Sequence, residues 1–217
     1  MDSIRNHILI IFIIISFNTK ASSPQTRTDS TKSVILKNFN NLNKESLGFN
    51  AYKSAINGYN LYRSIGKITC DTIAIIDYDL PSTCKRLFIL DIINNKIIYS
   101  SLVAHGRNSG GNIASEFSNI NGSHKSSLGF FKTKETYVGK HGISLRLEGL
   151  ENGINDNARN RNIVIHKANY VSNKFISKYS RLGRSYGCPA LPIKDYDKAL
   201  RLLSRNILLY IHSSKPL

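Results

Sequence analysis

The sharpest chemical signal in the chain is the run Arg184-Ser185-Tyr186-Gly187-Cys188-Pro189. A thiol attacks only as the thiolate, so a nucleophilic cysteine needs a base within reach. Gly187 directly before Cys188 lets the backbone turn sharply, which projects the thiol and makes neighbouring N–H groups converge. Converging N–H groups are what the oxyanion of an acyl transfer requires. The candidate base is His166, which ends the apolar run Ile163-Val164-Ile165. It is expected at the end of a core strand, a rigid mount for an imidazole. A thiol beside an imidazolium is expected to be partly ionised near neutral pH. By spacing alone, the same two residues also fit a buried structural cysteine and a surface histidine.

Other polar residues carry weaker signals. Arg184 has the fork geometry to hold a carboxylate, and a solvated arginine fits the same position. His141, between Gly139 and Gly142, lines a cleft or sits in an ordinary loop. His105, His124 and His141 lack tight ligand spacing and carboxylate partners, so no metal is expected. Arg146, Glu148, Asp156, Arg159 and Arg161 are expected to form a structural charge network.

These groups need a scaffold. Residues 34–66 read as helical, with Phe49, Tyr52, Ile56 and Tyr59 on one face beside Ala55, and with Gly58 and Gly66 punctuating the end. From residue 67 the texture turns to strands. Residues 72–78 and 86–92 form two of them, joined by the turn at 79–83, and Asn94-Asn95 marks a tight hairpin turn. A Gly-, Ser- and Asn-rich stretch from Gly106 to Lys125 is long enough to be a functional loop. Further strands are expected at 128–132, 144–147, 162–166 and 207–211, with helices at 170–179 and 193–203. The pattern predicts a mainly β domain, a barrel or sandwich with peripheral helices and an N-terminal helical segment.

The 217 residues suffice for one domain plus a leader, and the net charge is +16. Such a charge suits a polyanion, yet no Lys/Arg block, zinc-finger spacing or RNA-binding aromatic motif supports nucleic acid. Arg5 and His7 precede an apolar run from Ile8 to Ile15, and small residues follow at Thr19, Ala21, Ser22 and Ser23. That is the layout of an export signal over residues 1–21, with no stable membrane span once it is cleaved. A polar linker is expected over 22–33. Three cysteines in an exported chain leave at least one thiol free. Cys70 and Cys84 fall near opposite ends of the first hairpin. At about 3.3 Å per residue their Cα atoms exceed the roughly 7 Å that a disulfide spans.

The stretch from Ile165-His166 to Ser185-Tyr186-Gly187-Cys188 resembles the active-site signature of the YkuD-type L,D-transpeptidases. The wider context resembles the murein L,D-transpeptidase catalytic domain family. It appears in Val103-Ala104-His105-Gly106-Arg107-Asn108-Ser109-Gly110, Lys125-Ser126-Ser127-Leu128-Gly129-Phe130, Gly139-Lys140-His141-Gly142 and Leu145-Arg146-Leu147-Glu148-Gly149-Leu150. The similarity runs from about residue 48 to about residue 212, so it takes in part of the helical segment as well as a catalytic domain expected over 67–213. The resemblance implies a periplasmic or envelope enzyme acting on peptidoglycan stem peptides without a cofactor. Cys188 would be the nucleophile and His166 the base. The N–H groups of Tyr186, Gly187 and Cys188 would form the oxyanion hole, and the Lys167 carbonyl would fix the imidazole tautomer. Ser185, Arg184 and His141 would contact substrate. Three positions depart from the family pattern: Lys167 after the histidine, Tyr186 before the glycine, and Pro189-Ala190 after the cysteine. They leave room for a thiol carboxypeptidase or endopeptidase on the same acyl-enzyme, or for a non-catalytic wall-binding module.

The export signal predicts a mature chain beginning near Ser22. N-terminal sequencing of protein from the native host checks this, and an intact Met1 in a soluble cytoplasmic fraction contradicts it.

Overall fold

The computed structural model describes residues 33–42 and 46–217. The expected export signal and nearly all of the expected linker lie outside these residues. Eight strands form one mixed sheet in the order β3-β2-β1-β8-β4-β5-β6-β7. They are β1 (Thr72–Asp77), β2 (Leu87–Asp91), β3 (Lys96–Ser101), β4 (Gly129–Gly139), β5 (Gly142–Gly149), β6 (Val164–Ala168), β7 (Ala190–Pro192) and β8 (Leu208–His212). The sheet curls until its ends meet. Just beyond β3, Ala104 exchanges two backbone hydrogen bonds with Ala190 of β7, at 2.8 and 3.3 Å. The mainly β reading therefore holds, in the form of one curled sheet.

Period-two patterning decides what fills each side of this sheet. Ala74 and Ile76 of β1 and Leu209 and Ile211 of β8 point into the main core, with Leu87, Ile89, Phe131, Leu145 and Ile165. The alternate residues Ile73, Ile75 and Leu208 point outward and are covered by the N-terminal helices. Every residue of β1 is buried as a result. That double burial is why its sequence, Thr-Ile-Ala-Ile-Ile-Asp, shows little polar alternation.

The N-terminal segment is two helices rather than one. Residues 33–40 form α1, and α2 spans Phe49–Ser64. The buried face of α2 is Ala51, Tyr52, Ala55, Gly58, Tyr59 and Tyr62, while Phe49 and Ile56 are only partly buried. Gly66 does end the helix, with φ +71°. Gly58 does not, for it lies mid-helix under the Phe130 ring. A Cβ there would stand 2.0 Å from Phe130 Cζ. Two shorter helices, α3 (Asn173–Tyr179) and α4 (Tyr196–Leu203), sit on either side of β7 in the chain. Ser172 caps α3 by accepting from the Phe175 N–H at 3.3 Å. The sequence gives no sign of β7, because three residues, one of them proline, carry no strand periodicity. The strand expected over 128–132 begins at Gly129 and runs on to Gly139, where it turns into β5.

All three cysteines are free. Cys70 precedes β1 and Cys84 lies in the β1–β2 connection, as the hairpin argument requires. Among the described residues no helix is long and apolar enough to cross a membrane.

Gly58→Ala tests the contact between α2 and the sheet. Alanine favours a helix by about 1 kcal/mol over glycine. The clash with Phe130 should reverse that gain and destabilise the protein by about 1–3 kcal/mol in urea denaturation. A stabilised variant would show that α2 does not rest on Phe130.

Candidate active site

A parallel ladder brings the thiol and the imidazole together. β6 pairs with β7 in the register His166↔Ala190, Lys167↔Leu191, Ala168↔Pro192. Paired strands lie about 4.8 Å apart, so the residues just before β7 reach the neighbourhood of His166. The His166 N–H donates to the Pro189 carbonyl at 3.4 Å. His166 is the third of five residues in β6, not its last, and is 3% exposed. Its mount is therefore more enclosed than a strand end. Nδ1 lies 3.1 Å from the Lys167 carbonyl. A carbonyl only accepts, so the proton sits on Nδ1 and Nε2 keeps its lone pair. The His141 ring stacks on His166 with centroids 4.4 Å apart and planes 20° from parallel.

The Cys188 turn is stapled from within and from below. Ser185 Oγ donates to the Cys188 carbonyl at 2.6 Å and accepts from the Gly187 N–H at 3.1 Å. The Gly187 N–H is thus engaged inside the turn, whereas Tyr186 and Cys188 donate no backbone hydrogen bond among the described residues. Gly187 has φ +119°, and a Cβ on it would stand 2.8 Å from the Lys125 carbonyl oxygen. Only glycine fits there. Buried Ser126 accepts from the Gly106 N–H and donates to the Gly187 carbonyl, at 3.0 and 3.1 Å. Cys188 Sγ donates to the carbonyl of Asn162 at 3.5 Å, and Asn162 itself has φ +53°.

Burial sets the resting protonation state. It pushes the Cys188 thiol up, against the Val164 N–H and the charges of Arg161 and Lys140. Burial likewise pushes His166 down, against the Lys167 carbonyl, with His141 and Lys140 adding to the fall. The resting pair is a thiol and a neutral imidazole rather than a partly formed ion pair. A lone pair on Nε2 is what a general base needs at the moment of attack.

Cys188, His166, His141, Ser185, Tyr186 and Arg184 all line one cavity of about 410 Å³. Its other charged lining groups are Lys140 and Arg161, and among the described residues neither Asp nor Glu contributes. Arg184 spends one nitrogen on the carbonyls of Arg107 and Gly110, at 3.1 and 2.9 Å. Arg161 departs from the expected charge network. It grips Ser118 O, Ser127 Oγ, Ser123 Oγ and Lys125 O and points its charge toward the thiol. Of the other residues expected in that network, Arg146 and Arg159 pair with Glu135, and Glu148 pairs with Lys134. Lys140 and Ser126 lie inside stretches whose family texture is visible in the sequence. Arg161, Asn162, Tyr137 and Tyr170 have no local signal. A larger cavity, about 740 Å³, lies along β3 and the start of α3 but holds neither thiol nor imidazole.

Beneath the loop that supports the turn lies an unusual buried cation. Arg86 is 0% exposed and donates to Leu80 O, twice to Val103 O, and to His105 Nδ1 at 2.7 Å. Its guanidinium lies 4.8 Å from the Tyr78 ring centre. Because Arg86 only donates, His105 Nδ1 must accept, and the ring is neutral with its proton on Nε2, which faces Gly110 O at 3.4 Å. Burial and the Arg86 charge push His105 down to about 3. This column orients the 106–111 loop, whose Arg107 N–H donates to the Ser185 carbonyl at 2.7 Å.

A sequence model of the L,D-transpeptidase catalytic domain matches residues 43–212, well over half of the chain. The chain belongs to the L,D-transpeptidase catalytic domain family. No curated protein matches it. Solved structures similar to it include an L,D-transpeptidase from Mycobacterium smegmatis, at 9% identity and a TM-score of 0.40, covering 66% of this chain and 59% of that one. Another is the L,D-transpeptidase LdtMt1 in complex with imipenem, at 8% and 0.40, covering 65% and 59%. A third is the helical cell shape determining protein Pgp2 from Campylobacter jejuni, at 13% and 0.45, covering 67% and 49%. The match spans about half to three fifths of the length of these relatives.

The depressed His105 predicts an acid-sensitive L,D-transpeptidase domain. The folded ring is neutral, and the unfolded one takes up a proton below its ordinary 6.5. Stability from this group is complete above 6.5 and falls as pH drops toward 3, by about 1.4 kcal/mol per pH unit. Urea denaturation at stepped pH reads the slope. His105→Asn should flatten it, and an unchanged slope in that variant would remove His105 as its source.

Proposed function

We propose that this domain is an exported cysteine acyltransferase that acts on peptidoglycan stem peptides through a Cys188 thioester. The observation that carries the proposal is the shared cavity. The Cys188 thiol and the His166 and His141 rings open on it, and its charged lining groups among the described residues are all positive. Stem peptides present carboxylates, which Lys140, Arg161 and Arg184 suit by charge.

The chemistry follows from the resting state. His166 Nε2 takes the thiol proton as Sγ attacks the amide carbonyl at the L-centre of the diaminopimelate residue. The carbonyl becomes an oxyanion beside the N–H groups of Tyr186 and Cys188, which are free of other backbone partners. Arg161 and Lys140 lower the cost of negative charge at sulfur. The C–N bond then breaks, D-alanine leaves with the proton held by His166, and the thioester remains. An amine of a second stem attacks that carbonyl, gives a proton to His166, and expels the Cys188 thiolate, which takes the proton back. Substrate entry displaces water and strengthens each of these electrostatic effects. Export through the 1–21 segment would put the domain where its polymer is.

Incubating mature protein with purified muropeptides, read by mass spectrometry, tests the proposal. Crosslinked dimers are expected, whereas trimmed monomers would mean that water is the acceptor. Cys188→Ala should abolish activity and any carbapenem adduct. His166→Ala should lower the rate by about 10²–10⁴. Undiminished activity in Cys188→Ala would remove the mechanism.

A further inference from the structure

Far along the sheet order from the candidate active site, Asp77, Asp79 and His212 converge. One ligand-type atom from each lies within 4.8 Å of the other two. Asp77 and His212 are register partners at the end of the parallel β1–β8 ladder, so their side chains leave the sheet on the same face. Asp79 lies two residues on, in the turn. None of the three lines the 410 Å³ cavity.

The hydrogen bonding around this trio is complete except toward its centre. Asp77 accepts from the Gly48 N–H through Oδ2 and from the Asp79 N–H through Oδ1, at 3.0 and 3.2 Å. Asp79 Oδ1 accepts from Ser213 Oγ and from the N–H and Oγ of Ser214. Its Oδ2 faces His212 Nε2 at 3.3 Å. That contact lacks hydrogen-bond geometry, so Nε2 is a buried nitrogen with no hydrogen-bond partner among the described residues, in a residue 8% exposed. Nδ1 meets the Tyr210 hydroxyl at 3.2 Å.

We propose that Asp77, Asp79 and His212 bind a divalent cation of the zinc class. Two carboxylate oxygens and one imidazole nitrogen form a borderline-hard donor set suited to it. Bond lengths near 2.0–2.2 Å in a tetrahedral shell put ligand atoms about 3.3 Å apart. The Asp79–His212 separation already has that value, and a shift of the Asp77 carboxyl completes the set. The Tyr210 hydroxyl, accepting from Nδ1–H, fixes the tautomer that leaves Nε2 free to coordinate. The exposed side of Asp79 leaves the fourth position to water. The ion would be structural. It would tie β1, β8, the N-terminus of α2 through Gly48, and the C-terminal residues Ser213 and Ser214 into one clasp.

Zinc titration of chelator-treated full chain tests the site by calorimetry and thermal unfolding. Binding at one equivalent and a rise in Tm of about 5 °C at saturating zinc are expected, since the ion binds only the folded state. Cys188→Ala must keep both effects, which separates this site from the thiol and imidazole of the cleft. His212→Gln should lose both, and so should Asp79→Asn, whose exposed position makes misfolding a lesser concern. No heat and no Tm change at about 1 mM zinc, well above structural affinities, would overturn the proposal. So would one-equivalent binding that survives in both His212→Gln and Asp79→Asn.

Discussion

Three residue pairs of parallel ladder, between β6 and β7, hold the chemistry of this molecule in place. Parallel pairing needs a crossover connection, and here the 169–189 segment supplies it with α3 and the cysteine turn. The register is demanding, because a slip of one residue exchanges the two faces of a strand. A slipped β7 would carry Cys188 away from His166. Ala190 sits at the crossing of two such constraints. It pairs with His166 on one side and with Ala104 on the other, so the residue that closes the sheet also sets the position of the thiol.

The turn itself is held by small polar residues where larger ones do not fit. Ser185 closes it internally, and Ser126 ties it to Gly106. Each of these hydrogen bonds is worth about 1 kcal/mol net, yet losing a partner in a buried site costs more, because the remaining group is left without water. The same economy explains the packing at Gly106 and Gly187. A Cβ on Gly106 would stand 2.9 Å from the Gly187 Cα. Backbone meets backbone there, and the 106–111 loop becomes the floor of the turn.

Burial shapes the electrostatics twice. In the cleft it favours the neutral forms of Cys188 and His166, so the resting sulfur is a thiol rather than a standing thiolate. In the core it encloses Arg86 with no ion-paired carboxylate among the described residues. That cation is tolerated because carbonyls, an imidazole nitrogen and an aromatic face receive its N–H groups. Its charge in turn keeps His105 neutral, and His105 stands under the loop that supports the turn.

The sequence by itself determined the nucleophile candidate, its glycine, the histidine, the family, and most strands, because each leaves a local trace. Gly187-Cys188 is a turn signature, Ile163-Val164-Ile165 is a buried run, and the family texture recurs in several long motifs. Sequence period also placed the first hairpin and kept Cys70 apart from Cys84. Only the tertiary structure decided which distant residues join them. Arg161 lies in a turn with no pattern to separate it from a surface arginine, and its place on the cleft comes from the loop carbonyls and hydroxyls it grips. β7 is too short to have a period, yet its pairing sets the site. The break between α1 and α2, the burial of Gly58 under Phe130 and the meeting of Asp77, Asp79 and His212 all depend on contacts between segments far apart in the chain. Local propensity records the state of one segment at a time, whereas these features are properties of the packed whole.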